Sequence, residues 1–338
     1  MKKGLLLILL LILSLGIFGC ETEPSNPTPK DKDVVQDLDI DVEMHKAFVQ
    51  FNPVTEADDT YMYLGYYPQR EVLDTKVLAE LKKITTTNAK GFIEYDGKEF
   101  YKYTVVNNHI YAEDAQSGDG TFYYGTGYEP GTTHYFLVEP ICWKVVQYNE
   151  STNEYILISA NIIDSDCFSK HKKSYEVDGV TVYPSNYEYS DIRAYLNGDF
   201  IQIAFTTEEQ SWIKPVTNNN KCPYAYIAEE TQSADTTDLV WLLSYQQVTS
   251  ARYGFKNDGT CDATRTIKAT DLANAKGLIK HTVEGVISSI WLTRNSLEYA
   301  RDYISYVGYD GLASKTFYPD AQNVGIRPAL VIKLPNEW

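Results

Sequence analysis

The chain has 338 residues, of which 43% are hydrophobic and 13% aromatic, enough apolar material for a sizeable folded core. Lys and Arg number 30 against 46 Asp and Glu, so the formal net charge is −16. A surface this acidic repels phosphate backbones and anionic lipid headgroups. Nucleic acid is therefore not expected as a partner.

The first twenty residues have the pattern of a secretory signal peptide. Lys2 and Lys3 precede an apolar run over residues 4–18, which is shorter than the ~20 residues of a membrane-spanning helix. The run closes on Ile17-Phe18-Gly19-Cys20 and resembles the bacterial lipobox, whose cysteine takes a diacylglycerol and begins the mature chain. We expect a lipoprotein signal over residues 1–19 and a lipidated Cys20; the alternative is an uncleaved anchor.

The segment after the predicted lipidation site has the composition of a tether. Residues 20–44 contain Pro24, Pro27, Pro29 and several acids, with little to bury. Such a segment cannot offset the entropy of ordering and is expected to stay extended. We predict a flexible linker over residues 20–44 and one extracytoplasmic domain over residues 45–338, anchored outside the bacterial cell membrane.

Turn and capping signals predict the first elements of this domain. An aromatic strand covers residues 60–67, and Pro68 is expected to end it. Asp74 can cap a helix. Asp96-Gly97 predicts a hairpin turn between two short strands. Residues 114–131, rich in Gly, Asp and Ser, are expected to form a loop.

The clearest predicted β unit is the hairpin that follows this loop. Residues 134–148 alternate in polarity through Pro140, and residues 154–159 return after a polar turn. Trp143 within this hairpin is expected in the core rather than in a ligand site.

Capping signals then mark four helices. They begin at Ser190 (ending at Gly198), at Thr206 with Glu209, at Ser244 with Gln247, and at Thr270 (ending at Gly277). Strands are expected over residues 238–243, 290–292 and 324–334. Because strands and helices mix without a regular βαβ rhythm, we predict an α+β fold. It would be a single irregular domain with short antiparallel strands and a few short helices.

Four cysteines remain besides Cys20, and outside the cytoplasm they allow three pairings if all are oxidised. Cys222 and Cys261 lie in polar, turn-rich sequence and are the candidate disulfide. Cys142, between Ile141 and Trp143, has the surroundings of a buried thiol.

The sequence has no recognisable catalytic motif, and its five histidines are scattered. Two Gly-containing acidic loops, residues 114–119 and 257–262, offer oxygen ligands that suit calcium, but neither follows the EF-hand pattern. The alternative is that both are solvated turns. We expect no metal or other cofactor, with calcium as the one possibility to test.

Five segments resemble one family when they are taken in order. They are Tyr63-Leu64-Gly65-Tyr66-Tyr67-Pro68-Gln69, Pro140-Ile141-Cys142-Trp143-Lys144-Val145-Val146, Ser190-Asp191-Ile192-Arg193-Ala194-Tyr195-Leu196-Asn197 with Phe200 and Ala204-Phe205, residues 238–244, and Val324-Gly325-Ile326-Arg327-Pro328-Ala329-Leu330. Together they are similar to the bacterial domain of unknown function 6273, found on secreted and lipid-anchored proteins. The resemblance covers nearly the whole chain after Cys20. Where that family tends to have Trp-Leu-Arg-Ser, this chain has Trp291-Leu292-Thr293-Arg294, so its arginine is displaced by one residue. In a strand, a displacement of one residue moves a side chain to the opposite face of the sheet.

The ending Gly325-Ile326-Arg327-Pro328 also resembles formylglycine-generating-enzyme-like domains. That resemblance implies a C-type-lectin-like fold with irregular α+β structure and neighbouring chain ends. The oxidase chemistry of those enzymes uses a cysteine pair near the C-terminus. No cysteine here lies beyond Cys261, so this chemistry is not expected.

Arg193 and Arg327 stand in the family-like segments and are the candidate ligand-binding residues, since each can hold a carboxylate with two hydrogen bonds. The alternative is that they anchor a helix and the last strand. The 28 tyrosines suit a recognition surface, or simply strand packing. We expect a lipid-anchored cell-surface module that binds a glycan or a protein. The alternatives are an extracellular hydrolase with a carboxylate pair and a purely structural envelope protein.

Overall fold

The computed structural model describes residues 48–51, 60–106, 121–124, 128–221, 233–283, 286–296, 303–313 and 315–335. The predicted signal, Cys20 and the whole predicted linker, residues 20–44, lie outside these residues. Chain contacts group residues 46–338 as one compact unit. None of the helices in the described ranges is long and apolar enough to cross a membrane.

Twenty-one strands are described, most of them three to six residues long. They are β1 (Phe48–Phe51), β2 (Thr60–Glu71), β3 (Ile93–Tyr95), β4 (Lys98–Thr104), β5 (Thr121–Tyr124), β6 (Thr133–Asn149), β7 (Glu154–Ser159), β8 (Asp164–Asp166), β9 (Tyr175–Val177), β10 (Val180–Val182), β11 (Ile213–Lys214), β12 (Val216–Asn218), β13 (Thr236–Asp238), β14 (Val240–Leu242), β15 (Ile279–Val283), β16 (Val286–Ser289), β17 (Trp291–Leu292), β18 (Ile304–Val307), β19 (Lys315–Phe317), β20 (Val324–Ile326) and β21 (Pro328–Lys333).

Six short α-helices are described among these strands. They are α1 (Thr75–Leu81), α2 (Asp191–Asn197), α3 (Asp199–Ala204), α4 (Thr207–Trp212), α5 (Tyr245–Val248) and α6 (Asp271–Ala275). Two 3₁₀ turns, Ala251–Tyr253 and Ala263–Arg265, follow α5.

The largest sheet has nine strands. Its main path is β1-β2-β6-β7-β21-β11, with β14 on β21 and the β3–β4 hairpin on β6, and every pairing is antiparallel. A five-stranded sheet, β19-β18-β17-β20-β8, contains one parallel pair, β17 with β20. Short antiparallel strands with a few short helices confirm the predicted α+β class.

The core lies where α2, α3 and α6 pack against the strands β14, β2 and β8. Trp143 on β6 is fully buried there, and its indole Nε1 donates to the carbonyl of Leu64 at 2.8 Å. A buried indole N–H needs a hydrogen-bond acceptor, and the Leu64 carbonyl supplies one, so burial of the Trp143 ring leaves no donor unpaired. The prediction for Trp143 is confirmed.

Local capping and turn predictions are confirmed at atomic detail. The Asp74 side chain accepts from the backbone N–H groups of Lys76 and Val77, the second and third residues of α1. Both capping boxes form, Thr206 with Glu209 before α4 and Ser244 with Gln247 before α5. Asp96-Gly97 turns the β3–β4 hairpin with positive φ at both residues, 50° and 71°, as a tight hairpin turn requires.

Several local predictions were wrong, each because of a partner distant in sequence. Pro68 does not end β2, which continues to Glu71 opposite β6 with a register shift between Pro68 and Arg70 that accommodates the ring. Residues 121–124, within the predicted loop, form β5 by pairing with β15. The strand predicted over residues 324–334 breaks at Arg327 into β20 and β21, which join different sheets. In the same way, residues 238–243 divide between β13 and β14.

One glycine explains why two family-like segments lie together. Gly65 on β2 has φ of +71°, and a Cβ there would lie 2.7 Å from the Phe205 ring. Its N–H donates to Glu209 Oε1 at 2.9 Å. A side chain at position 65 would therefore separate β2 from the end of α3.

Candidate functional site

A buried carboxylate and its partners form a polar cluster in the described part of the chain, and we name it the Asp164 centre. It comprises Tyr67, Asp164, Tyr195 and Lys276. Both tyrosine hydroxyls donate to Asp164 Oδ2, at 2.7 and 2.9 Å, and they lie 2.7 Å from each other. Lys276 Nζ lies 2.5 Å from Asp164 Oδ1, which also accepts from the backbone N–H of Ser165 at 2.8 Å. Asp164 is 1% exposed, so this carboxylate is stabilised by protein donors instead of bulk water.

The charges of the Asp164 centre fix its protonation. Burial raises the pKa of Tyr67 and of Tyr195 well above the usual value, and the charge of Asp164 adds to this. Burial alone would lower the pKa of Lys276, but the charge and hydrogen bond of Asp164 outweigh it and raise that pKa. Lys276 is therefore an ammonium donor rather than a nucleophile, and both hydroxyls stay protonated.

Four separate elements bring the centre together. Tyr67 comes from β2 and Tyr195 from α2, two of the family-like segments. Asp164 begins β8, and Lys276 directly follows α6. Sequence reasoning missed this cluster, because Asp164 and Lys276 stand in no recognised motif. The available signal was the presence of a tyrosine in two of the family-like segments.

A pair of tyrosines lies on the strand next to this centre. Tyr101 and Tyr103, two residues apart on β4, are half-buried and stack with ring centroids 6.4 Å apart at 24°. Lys276 interacts electrostatically with both hydroxyls. The tyrosine pair, as we name it, therefore places two aromatic rings beside a charged group that is 24% exposed.

Arg193 ties α2 to β13. Its Nε donates to Asp238 Oδ1 at 2.6 Å, and its terminal nitrogens donate to the carbonyls of Glu188 and Thr237. Asp238 is 1% exposed and also accepts from Asn218. The Arg193 guanidinium thus donates to protein acceptors, which is the geometry of a residue that anchors α2 to β13.

Arg327 lies deeper, with 3% exposure. Its guanidinium lies over the rings of Trp291 at 4.9 Å and Phe255 at 5.8 Å, and Nε donates to the Ser159 carbonyl. Burial lowers the pKa of Arg327 to about 10. Among the described residues its Nη1 has no hydrogen-bond partner. The partners of Arg193 and Arg327 are thus different from each other and from those of the Asp164 centre.

Arg294, the displaced arginine of the family-like strand, is also buried. Its guanidinium donates to Asn220 Oδ1, to the Leu242 carbonyl and to Gln247 Oε1 at 2.6–3.0 Å. Burial lowers the pKa of Arg294 to about 10. The side chain therefore joins segments that are far apart in sequence.

The acidic loop over residues 257–262 surrounds an arginine. Arg265 is fully buried and donates to the carbonyls of Asp258 and Thr260 in this loop, and to that of Lys256, the residue just before it. A guanidinium thus occupies the centre of the loop. The other candidate calcium loop, residues 114–119, lies outside the described residues. No group of three or more His, Cys, Asp or Glu side chains in the described ranges is arranged to hold a metal ion.

The predicted disulfide involves Cys222, which lies outside the described residues, so the pairing with Cys261 stays a prediction. Cys142 and Cys167 carry thiols that form no disulfide. Burial raises the pKa of Cys142 to about 11 and that of Cys167 to about 12. Neither thiol is activated at neutral pH, because the thiolate is the reactive form.

The structure is an irregular α+β domain, which agrees with the fold that the sequence resemblance implies. The family model for the domain of unknown function DUF6273 matches residues 152–334, just over half of the chain. The chain belongs to this family. The match begins after the first two family-like segments, although β2 and β6, which contain them, lie in the same sheet as β7 and β21. No curated protein and no solved structure matches the chain.

Proposed function

We propose that this protein is a lipid-anchored cell-surface module that binds a glycan through the tyrosine pair beside the Asp164 centre. The observation that supports the binding role is the stacking of Tyr101 and Tyr103, with ring planes 24° apart, next to a partly exposed ammonium. Sugar rings present apolar C–H faces and a rim of hydroxyls. Aromatic faces with a few convergent polar groups suit both parts of such a ligand.

The charge of the chain narrows the ligand class. The net charge is −16, and cleavage before Cys20 would remove Lys2 and Lys3 and lower it to −18. Beside the pair, Lys276 interacts with two carboxylates, Asp164 and Asp166. Anionic polymers would be repelled, so the proposed ligand is a neutral glycan.

The binding role is tested on a glycan array with the full-length protein and two paired variants. Y101A/Y103A removes the tyrosine pair. Y148A/Y155A removes another stacked pair, with centroids 4.5 Å apart, on the β6–β7 hairpin. Since an aromatic contact is worth about 1 kcal/mol, losing two should weaken binding by about tenfold or more.

The Y148A/Y155A control should bind as the wild type does, and circular dichroism should show both variants folded. The proposal is abandoned if the wild type binds no neutral glycan or if the two variants lose affinity equally. Y101F/Y103F removes both hydroxyls and keeps both rings, so it distinguishes the contribution of the aromatic faces to binding from that of the hydroxyls.

The anchor is tested independently by mass spectrometry of the protein isolated from membranes. The expected mature chain begins at Cys20 with a diacylglyceryl thioether. An N-terminus at Met1, or an unmodified Cys20, contradicts the anchor and leaves the binding proposal standing.

A further inference from the structure

A hydroxyl, an imidazole and a carboxylate form a chain of contacts where β6 begins, and we name it the His134 relay. His134 Nδ1 lies 2.6 Å from Glu71 Oε1, and its Nε2 lies 2.8 Å from Thr132 Oγ1. These are the distances at which a base can take a proton from a hydroxyl while a carboxylate holds the base in place. The five histidines showed no such arrangement in sequence, since Glu71 is 63 residues away from His134.

The relay is oriented by neighbouring groups. The Tyr128 hydroxyl donates to Glu71 Oε2 at 3.0 Å, and the edge of its ring meets His134 with centroids 4.9 Å apart. Asp271 Oδ2 accepts from the Glu71 backbone N–H at 2.9 Å. These contacts hold both carboxylate oxygens and the imidazole plane, which is the role of the third group in a nucleophile–base pair.

The residue that bears the hydroxyl is the most exposed member of the relay. The side chains of His134 and Glu71 are 19% and 20% exposed, while Thr132 is exposed. A substrate therefore reaches the hydroxyl first. The carboxylate and the imidazole are both partly buried, and they interact more strongly than they would in bulk water.

The hydroxyl hydrogen of Thr132 has two acceptors within reach. One is the Glu129 carbonyl at 2.5 Å, and the other is His134 Nε2. A neutral imidazole whose Nδ1–H donates to Glu71 presents a lone pair at Nε2. Rotation about the Cβ–Oγ bond then moves the hydrogen to the imidazole without moving any heavy atom.

We propose that Thr132, His134 and Glu71 form a catalytic relay that hydrolyses carboxylic esters. Thr132 Oγ attacks the ester carbonyl carbon and forms an acyl–threonine, while its proton passes to His134 Nε2. That proton leaves with the alcohol as the original C–O bond breaks. Water then attacks the acyl–threonine, giving up a proton through Nε2, and releases the acid and free Thr132. Glu71 stabilises the imidazolium and does not itself change protonation.

The relay lies beside the tyrosine pair, because Tyr103 on β4 is directly opposite His134 on β6. Cross-strand partners point to the same face of a sheet. An ester on a molecule held at Tyr103 would thus face the relay. The inference itself does not depend on the binding proposal, because a small ester can test the chemistry alone.

The experiment measures hydrolysis of p-nitrophenyl acetate by the full-length protein and its variants. T132A and H134Q should each lower kcat/KM by about 100-fold or more, as expected when a nucleophile or its base is lost. T132S keeps a hydroxyl and should retain the activity. The matched control is T133A, because Thr133 Oγ1 contacts Thr104 Oγ1 at 3.0 Å and takes no part in the relay.

A second readout identifies the nucleophile. A fluorophosphonate probe should add its phosphonyl group to the peptide that contains Thr132 in the wild type and in T133A, and not in T132A. Urea unfolding checks that each variant is folded. Wild-type turnover that survives in folded T132A overturns the proposal, as does a wild type that neither turns over the ester nor takes the probe. Failure of glycan binding with the ester activity intact would contradict only the binding proposal.

Discussion

Replacement of Asp164 by asparagine tests how much the buried centre contributes to stability, because it removes one charge with almost no change of shape. The carboxylate uses Oδ1 for Lys276 and the Ser165 N–H, and Oδ2 for the two tyrosine hydroxyls. An amide has only one acceptor oxygen. Whichever way the introduced amide turns, its NH₂ group therefore faces either the ammonium or both hydroxyl donors.

The size of the effect follows from the ion that is left behind. Breaking a buried ion pair by removing one partner costs about 3–5 kcal/mol, since the remaining charge has no compensation. Lys276 keeps 24% of its side-chain exposure and can reach some water, so we expect the lower end, about 3 kcal/mol.

Urea unfolding followed by tryptophan fluorescence measures this loss as a lower midpoint at an unchanged m-value. The matched control breaks an exposed ion pair of similar length, Lys83 with Glu80 at 2.7 Å, by K83M. It should cost about 1 kcal/mol or less. In the double variant D164N/K276M the stranded ammonium is absent, so the loss should be smaller than the sum of the two single losses.

The outcome that refutes this reasoning is a D164N loss no larger than that of K83M. It would mean that the Asp164 centre behaves as a solvated surface pair. As an independent test, a loss of unfolding free energy in D164N/K276M equal to the sum of the two single losses would refute the coupling between Asp164 and Lys276.

Two further predictions concern the backbone and alkaline pH. G311A should lower the free energy of unfolding by about 3 kcal/mol, because Gly311 has φ of +75° and a Cβ there would overlap the Asp262 carbonyl oxygen. The control G91A, with φ of +83° and open space around the Cβ, should lower it by about 1 kcal/mol. Equal urea midpoints for the two variants would contradict this prediction. Burial raises the pKa of Tyr67 and of Tyr187 in the folded protein. The stability that these two tyrosines contribute is therefore complete below their unfolded pKa of about 10 and is lost as the pH rises above it. The loss is about 1.4 kcal/mol per pH unit for each tyrosine. Urea midpoints at about pH 9 and about pH 11 check this, and Y67F should reduce the decline; a midpoint that does not move with pH would count against it.

Much of the local structure was predictable because its causes are neighbours in sequence. The capping boxes at Thr206 and Ser244 and the turn at Asp96-Gly97 depend on residues at most three positions apart. The errors arose where a distant strand decided the outcome. Pro68 stays within β2 because β6 continues alongside it, and β5 forms because β15 supplies the hydrogen bonds.

The sequence by itself determined the family, the α+β class, the helix starts and the burial of Trp143, and it led us to predict the lipid anchor at Cys20. Only the tertiary structure assembled the Asp164 centre and the His134 relay. Tyr67 and Asp164 are 97 residues apart, and Glu71 and His134 are 63 apart. Contacts at such separations depend on strand order and on register shifts such as the one after Pro68. Composition and short-range patterns contain neither, because a register is fixed by the packing of the whole sheet.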